Sequence, residues 1–184
     1  MSIIFNGTRL SKGKRQYFNG VELKEIYYQD NDHEKTLVWK YDVEPHNPAL
    51  TTANVVPTSR GGYGWTTGIP SDTATGCNWY NERVYAYSWA WAGWGAGVGC
   101  GATAWYSGYI VLTELPDWEE ITKVVVKKYL TGTETIYIQP GQTTVSFSDS
   151  GSGGWENSYF PTSDKSFSYG FNCGLSSFSY YYGD

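Results

Sequence analysis

Methionine occurs once in this chain and histidine twice, against 17 tyrosines, 9 tryptophans and 22 glycines in 184 residues. The runs of Ala, Leu, Glu and Lys that favour helices are missing, so the composition argues for short strands and Gly-rich turns. Charged residues make up only 17% of the chain, and their negative excess falls after residue 110. An acidic half speaks against nucleic acid, whose phosphates select a basic face. The opening residues MSIIFNGTRLSKGKRQ hold no apolar stretch long enough for a secretory signal. Cys77, Cys100 and Cys173 are odd in number and lack CxxC spacing. They read as buried thiols of a protein made in a reducing cytoplasm, with one disulfide as the alternative.

Catalytic signatures are missing too. There is no GxSxG and no phosphate-binding loop, and Gly95-Ala96-Gly97-Val98-Gly99 lies inside a strand pattern. His33 sits in a charged turn and His46 in a Pro-rich connection, without HxxxH spacing, so both read as solvated rather than metal-binding. Asp117, Glu119 and Glu120 form the one acidic cluster and read as a solvated corner. The expectation is a protein that is not an enzyme and needs no cofactor or metal.

What the sequence does have is concentrated between Val84 and Ala102. Tyr85, Tyr87, Trp89 and Trp91 alternate with Val84, Ala86, Ser88 and Ala90, and glycines occupy 95, 97, 99 and 101. A period of two is a strand signature. Folding the stretch about Gly93 sets Trp91 opposite Gly95, Trp89 opposite Gly97, Tyr87 opposite Gly99 and Tyr85 opposite Gly101. Large rings over residues without side chains stabilise sheets, so the stretch predicts a hairpin with Trp89 and Trp91 in the core. No charge occurs between Arg83 and Glu114, but the glycines and the period of two exclude a membrane-spanning helix.

Elsewhere, residues 42–83 read as connection and loops, with Val55-Val56 a candidate short strand and Arg60-Gly61-Gly62-Tyr63-Gly64 as turn punctuation. Tyr109–Leu112, Thr133–Gln139 and Thr143–Ser148 read as strands, the last two joined as a hairpin by Pro140-Gly141-Gln142; Ile121–Leu130 suits helix or strand, and Val124-Val125-Val126 favours strand. Ser150–Gly154 reads as a flexible loop. Phe167, Tyr169, Phe171, Cys173 and Leu175 share one face, and the phase flips near Ser176-Ser177 so that Phe178, Tyr180 and Tyr182 follow, which predicts a bulge or a corner. The fold class is all-β: a small N-terminal β-meander over residues 1–42, then a β-sandwich over residues 43–184, with a jelly roll as one arrangement of it.

The first forty residues contain a repeat. FNGTRL (Phe5 to Leu10) recurs as FNGVEL (Phe18 to Leu23), and Asn-Gly between β-prone flanks is a strong hairpin signal. After the second copy come Lys24, Ile26, Tyr27, a polar turn at 29–34, and Leu37-Val38-Trp39. With Phe18, Asn19, Gly20 and Leu23, these residues resemble a short xNGxxLKxIYxxD…LVW module of tail, baseplate and fibre proteins of tailed bacteriophages. The resemblance covers about positions 1–42, and the turn is longer here than is usual in that module. It implies a structural virion component, assembled in the host cytoplasm, whose N-terminal end serves attachment or oligomerisation. It implies other virion proteins as partners and a homo-oligomeric state. The acidic balance and the period of two add the expectations of no nucleic acid bound and no membrane insertion. The alternative function is carbohydrate or receptor binding at a fibre tip, with a host surface glycan as partner. Trp65, Trp79, Trp155, Tyr180, Tyr181 and Tyr182, assigned to loops or the terminus, are the candidate glycan or interface contacts.

Overall fold

The structure is a computed structural model and describes residues 3–5, 8–29, 34–159 and 163–183. Six short strands come first: β1 (Ile3–Phe5), β2 (Thr8–Leu10), β3 (Gln16–Phe18), β4 (Val21–Leu23), β5 (Glu25–Gln29) and β6 (Lys35–Lys40). They pair as three separate hairpins, β1-β2, β3-β4 and β5-β6, rather than as a continuous meander. Asn19 and Gly20 join β3 to β4 with φ of 49° and 80°, as a type I′ turn requires. The first Asn-Gly pair (6–7) and His33 lie outside the described residues.

The eight strands that follow form two antiparallel sheets. They are β7 (Val55–Gly68), β8 (Asp72–Tyr80), β9 (Arg83–Ala92), β10 (Gly97–Val111), β11 (Lys123–Lys128), β12 (Thr133–Tyr137), β13 (Thr144–Tyr159) and β14 (Lys165–Tyr181). One sheet has the order β13-β10-β7, the other β12-β11-β14-β9-β8. The two sheets pack as a β-sandwich, with β10 against β9 and β14.

Several expected loops are strand. Residues 55–68 and 72–80 are β7 and β8, and Ser150–Gly154 lies inside β13. Gly61, Gly62 and Gly64 look like turn residues in sequence but serve close packing within β7. A Cβ on Gly61 would lie 2.3 Å from Cζ2 of the Trp105 ring, and one on Gly64 would meet the Tyr87 carbonyl of the opposite sheet. Glycine in a strand interior marks such close approaches as often as it marks turns.

The expected hairpin at Gly93 is not formed. β9 and β10 are strands, and Ala96 N–H donates to the Gly93 carbonyl in the turn between them (3.2 Å), but the chain crosses there from one sheet to the other. The same holds at Pro140-Gly141-Gln142, since β12 and β13 also belong to different sheets. The reason is burial. In β9 the small residues Val84, Ala86, Ser88, Ala90 and Ala92 are buried and the rings between them half-buried. Pairing β9 with β10 in one sheet would leave Ala86 and Ala90 beside Cys100 and Ala102. Crossing over sets the two small faces against each other and removes both from water.

Rings do lie over glycines, but with other partners. Trp65 on β7 covers Gly101, its register partner on β10, and Trp105 on β10 covers Gly61. Tyr87 covers Gly76 on β8 and Tyr85 covers Gly170 on β14.

The core tapers as a result. One end holds Ala90, Ala92, Val98 and Cys100, and the other holds Tyr106, Ile110, Leu112, Val124, Val126, Phe147, Leu175 and Phe178. The phase flip in β14 is present: the register shifts between Ser177 and Leu175, and Phe178, Tyr180 and Tyr182 are buried after it. The cysteines are free, with Cys100 and Cys173 buried.

The N-terminal segment meets the wide end of the sandwich through Arg9 on β2 and Lys12 just after it. Lys12 N–H donates to Glu120 (2.8 Å), the Lys12 ammonium pairs with Asp117, and Arg9 approaches Glu119 at 3.6 Å. The acidic corner expected to be merely solvated therefore meets the basic residues of the module. His46 is half-buried rather than solvated. It bridges Tyr180 through paired backbone hydrogen bonds of 3.0 Å and stacks on its ring, while its Nε2 lies 3.0 Å from Asp42.

Candidate binding faces

Because β9 turns its small residues inward, its rings point out. Register places Trp91 between Asp72 and Ser166, Trp89 between Ala74 and Ser168, Tyr87 between Gly76 and Gly170, and Tyr85 between Asn78 and Asn172. The four rings form one strip along the outer face of the five-stranded sheet, each partly exposed. The two tyrosines stack nearly parallel, 22° apart with centroids at 5.9 Å, and both lie down over glycine rather than standing away from the sheet. At the lower end the Arg83 guanidinium sits 4.4 Å from the Tyr80 ring and donates to the Tyr129 hydroxyl at 2.6 Å, which raises its pKa further.

Beyond Trp91 the strip reaches the narrow end of the sandwich. Two turns meet there, tied by Ser71 N–H to the Trp91 carbonyl (2.7 Å) and by Gly93 N–H to Ser71 Oγ (3.0 Å). They expose two large apolar side chains, Ile69 at 83% and Trp94 at 71%. This tip is the end remote from the N-terminal hairpins. The 15 residues of β10 separate the two ends, about 50 Å at ~3.3 Å per residue.

The outer face of the three-stranded sheet is the second candidate. Tyr63 and Trp105 lie 6.5 Å apart beside Trp65; across β10, Tyr63 is in register with Ser152 of β13 and Trp65 with Gly154, while Trp105 on β10 pairs directly with Ser150. Thr103 and Ser152 hydroxyls are hydrogen-bonded at 2.9 Å.

The six contact residues expected from sequence are dispersed: Trp65, Trp79, Trp155, Tyr180 and Tyr181 lie within strands, and Tyr182 follows the end of β14. Trp65 is on the outer face just described. Trp79 stands 54% exposed on edge strand β8, with the Arg60 guanidinium 5.6 Å from its ring. Trp155 is 48% exposed at the open rim between the sheets and meets Phe167 edge-on at 4.7 Å. Tyr180 and Tyr182 belong to the core, at 5% and 2% exposure, because the bulge in β14 turns them inward, so they are not surface contacts of this chain. Tyr181 faces outward with Lys123 Nζ 4.8 Å from its ring. Trp89 and Trp91, expected in the core, are the surface residues instead. A strand that is large on one face and small on the other does not announce which face is buried. The hint was in β7 and β10, whose Gly62, Gly64, Ala102 and Ala104 suit a small-on-small interior.

Buried polar groups serve structure. Asp149, 1% exposed, accepts from the N–H groups of Leu130, Thr131 and Gly174 and from the Thr131 hydroxyl at 2.8–3.1 Å. The Tyr106 hydroxyl donates to buried Glu82 at 2.8 Å, and burial first and that bond second push its pKa well up. Burial and the neighbouring Asp149 raise the Cys173 thiol to about 12. Among the described residues no cluster of three His, Cys, Asp or Glu could hold a metal, and no helix is long and apolar enough to cross a membrane. Comparison with protein-family models, with curated proteins and with solved structures finds no match to this chain.

Proposed function

We propose that this chain is a non-enzymatic structural component of a tailed-phage particle, from the tail, baseplate or fibre. In this reading the N-terminal hairpins attach it to neighbouring virion proteins or to further copies of itself, and the β-sandwich is carried outward. The observation that supports it is the polarity of the molecule. The N-terminal segment meets the wide end through Arg9 and Lys12, just ahead of the hairpins that resemble the phage module. The opposite end presents Ile69 and Trp94 to solvent. A tethered end and an exposed apolar tip suit a part that is held at one end and makes contact at the other.

The test is mass spectrometry and antibody labelling of tailed particles purified from the source strain. The expected result is this chain at fixed stoichiometry with tail proteins, with label on the tail or fibre. Its presence in the soluble fraction and absence from particles would refute the reading.

A further inference from the structure

We infer that the strip Tyr85-Tyr87-Trp89-Trp91 is a binding platform for an uncharged polysaccharide chain, laid lengthwise along β9. This goes beyond a virion role and does not rest on it, because the platform is a property of the sandwich alone.

The chemistry of the strip selects the ligand. A pyranose presents a flat face of C–H groups and a rim of hydroxyls. It is held by an aromatic ring under the face and hydrogen-bonding groups beside the rim. Both parts are here in register. The rings run down the middle, and Asp72, Asn78, Ser166, Ser168 and Asn172 stand on the flanking strands, one or two beside each of Tyr85, Trp89 and Trp91. Beside Tyr87 both partners are glycine, and the rings of Tyr87 and Tyr85 lie down over them. That flattens the strip where upright side chains would block a passing chain.

Length points the same way. Four rings at every second residue span about 20 Å at ~3.3 Å per residue, which suits several linked sugars rather than one. Charge narrows the class. Among the described residues in register with the strip, only Asp72 carries a charge, and Arg83 at the far end is engaged by Tyr80 and Tyr129. An anionic glycan would find no row of cations. A protein partner would be expected to bury its anchors in pockets, whereas this surface is flat and bordered by small polar groups.

The experiment is affinity gel electrophoresis of the full chain in gels containing hydroxyethylcellulose, galactomannan, xylan or dextran, with polygalacturonate as the anionic comparison. The expected result is retardation by at least one neutral polysaccharide, unchanged in high salt. Trp89→Ala with Trp91→Ala should weaken it about tenfold or more, and Trp105→Ala on the other sheet should leave it intact. Because truncating two tryptophans could unsettle the sheet, Ser166→Arg with Ser168→Arg keeps every ring and puts bulk beside the strip at exposed positions. It should abolish retardation while the circular dichroism spectrum is unchanged.

Retardation by none of the neutral polysaccharides overturns the inference. So does retardation untouched by either strip variant, or a dimer in light scattering that the Ser166→Arg, Ser168→Arg variant dissociates. A chain found in particles but retained by no glycan would overturn this inference alone. A chain retained by glycan but absent from particles would overturn only the virion role.

Discussion

Replacing Gly101 with alanine tests the ring-over-glycine packing at its tightest point. A Cβ at this position would lie inside 3.0 Å of Cζ2, Cε2 and Cη2 of Trp65 at once. The ring cannot stay where it is. Overpacking of this kind costs about 1–3 kcal/mol. Alanine returns about 0.5–1 kcal/mol through the smaller entropy loss of a residue with a Cβ. The net effect should be a loss of up to about 2.5 kcal/mol, which at an m-value near 2 kcal/mol/M moves a urea midpoint down by as much as roughly 1.2 M.

The decisive measurement is the same substitution in a Trp65→Ala background. With the ring gone only the entropic gain remains, so Gly101→Ala should become neutral or mildly stabilising, and the coupling should equal the overpacking cost. Equal destabilisation in both backgrounds would refute the packing described here. Rescue by Tyr85→Ala instead of Trp65→Ala would mean that β9 and β10 pair within one sheet after all.

Further outcomes can be checked on the same protein. Asp149→Ala strips the acceptor from three backbone N–H groups and should lower stability by about 3–5 kcal/mol in chemical denaturation, with Asp149→Asn milder. Stability should fall in alkali. Cys173 is raised from 9.0 to about 12 on folding, and Tyr106 and Tyr182 are raised above 10.0, chiefly by burial. The folded state therefore keeps protons that the unfolded state releases, and the stabilisation present below pH 9 is lost progressively as pH rises toward the folded values. Melting temperatures should decline from about pH 9 upward, and Cys173→Ala should flatten the first part of that decline. In native protein at pH 8 a thiol reagent should modify Cys77 alone, since Cys100 and Cys173 are buried; two or more equivalents reacting quickly would contradict the buried sites. Lys12→Glu should repel Asp117 and Glu120 and loosen the N-terminal hairpins. Protease should then cut residues 41–54 faster while the sandwich stays resistant, and unchanged cleavage would show that the corner does not hold the module.

Much of this molecule was legible in its residues, and the illegible part has one cause. Strand identity in β9, β10 and β14, the type I′ turn at Asn19-Gly20 and the phase flip near Ser176 follow from alternation and turn chemistry, which are local. Even the tendency of rings to cover glycines could be read, because Gly next to Trp at strand spacing has few other uses. Which strand lies beside which could not. Alternation gives each strand two faces and two edges but names no neighbour, so Trp91 and Gly95 look paired across Gly93 as readily as Trp65 and Gly101 do across more than thirty residues. Only the closed sandwich decides, since it must bury one face of every strand at once. Burying Ala86, Ala90, Cys100 and Ala102 against one another requires the crossover at Gly93. That choice sends Trp89 and Trp91 to the surface and creates the candidate platform, while the bulge in β14 withdraws Tyr180 and Tyr182 into the core.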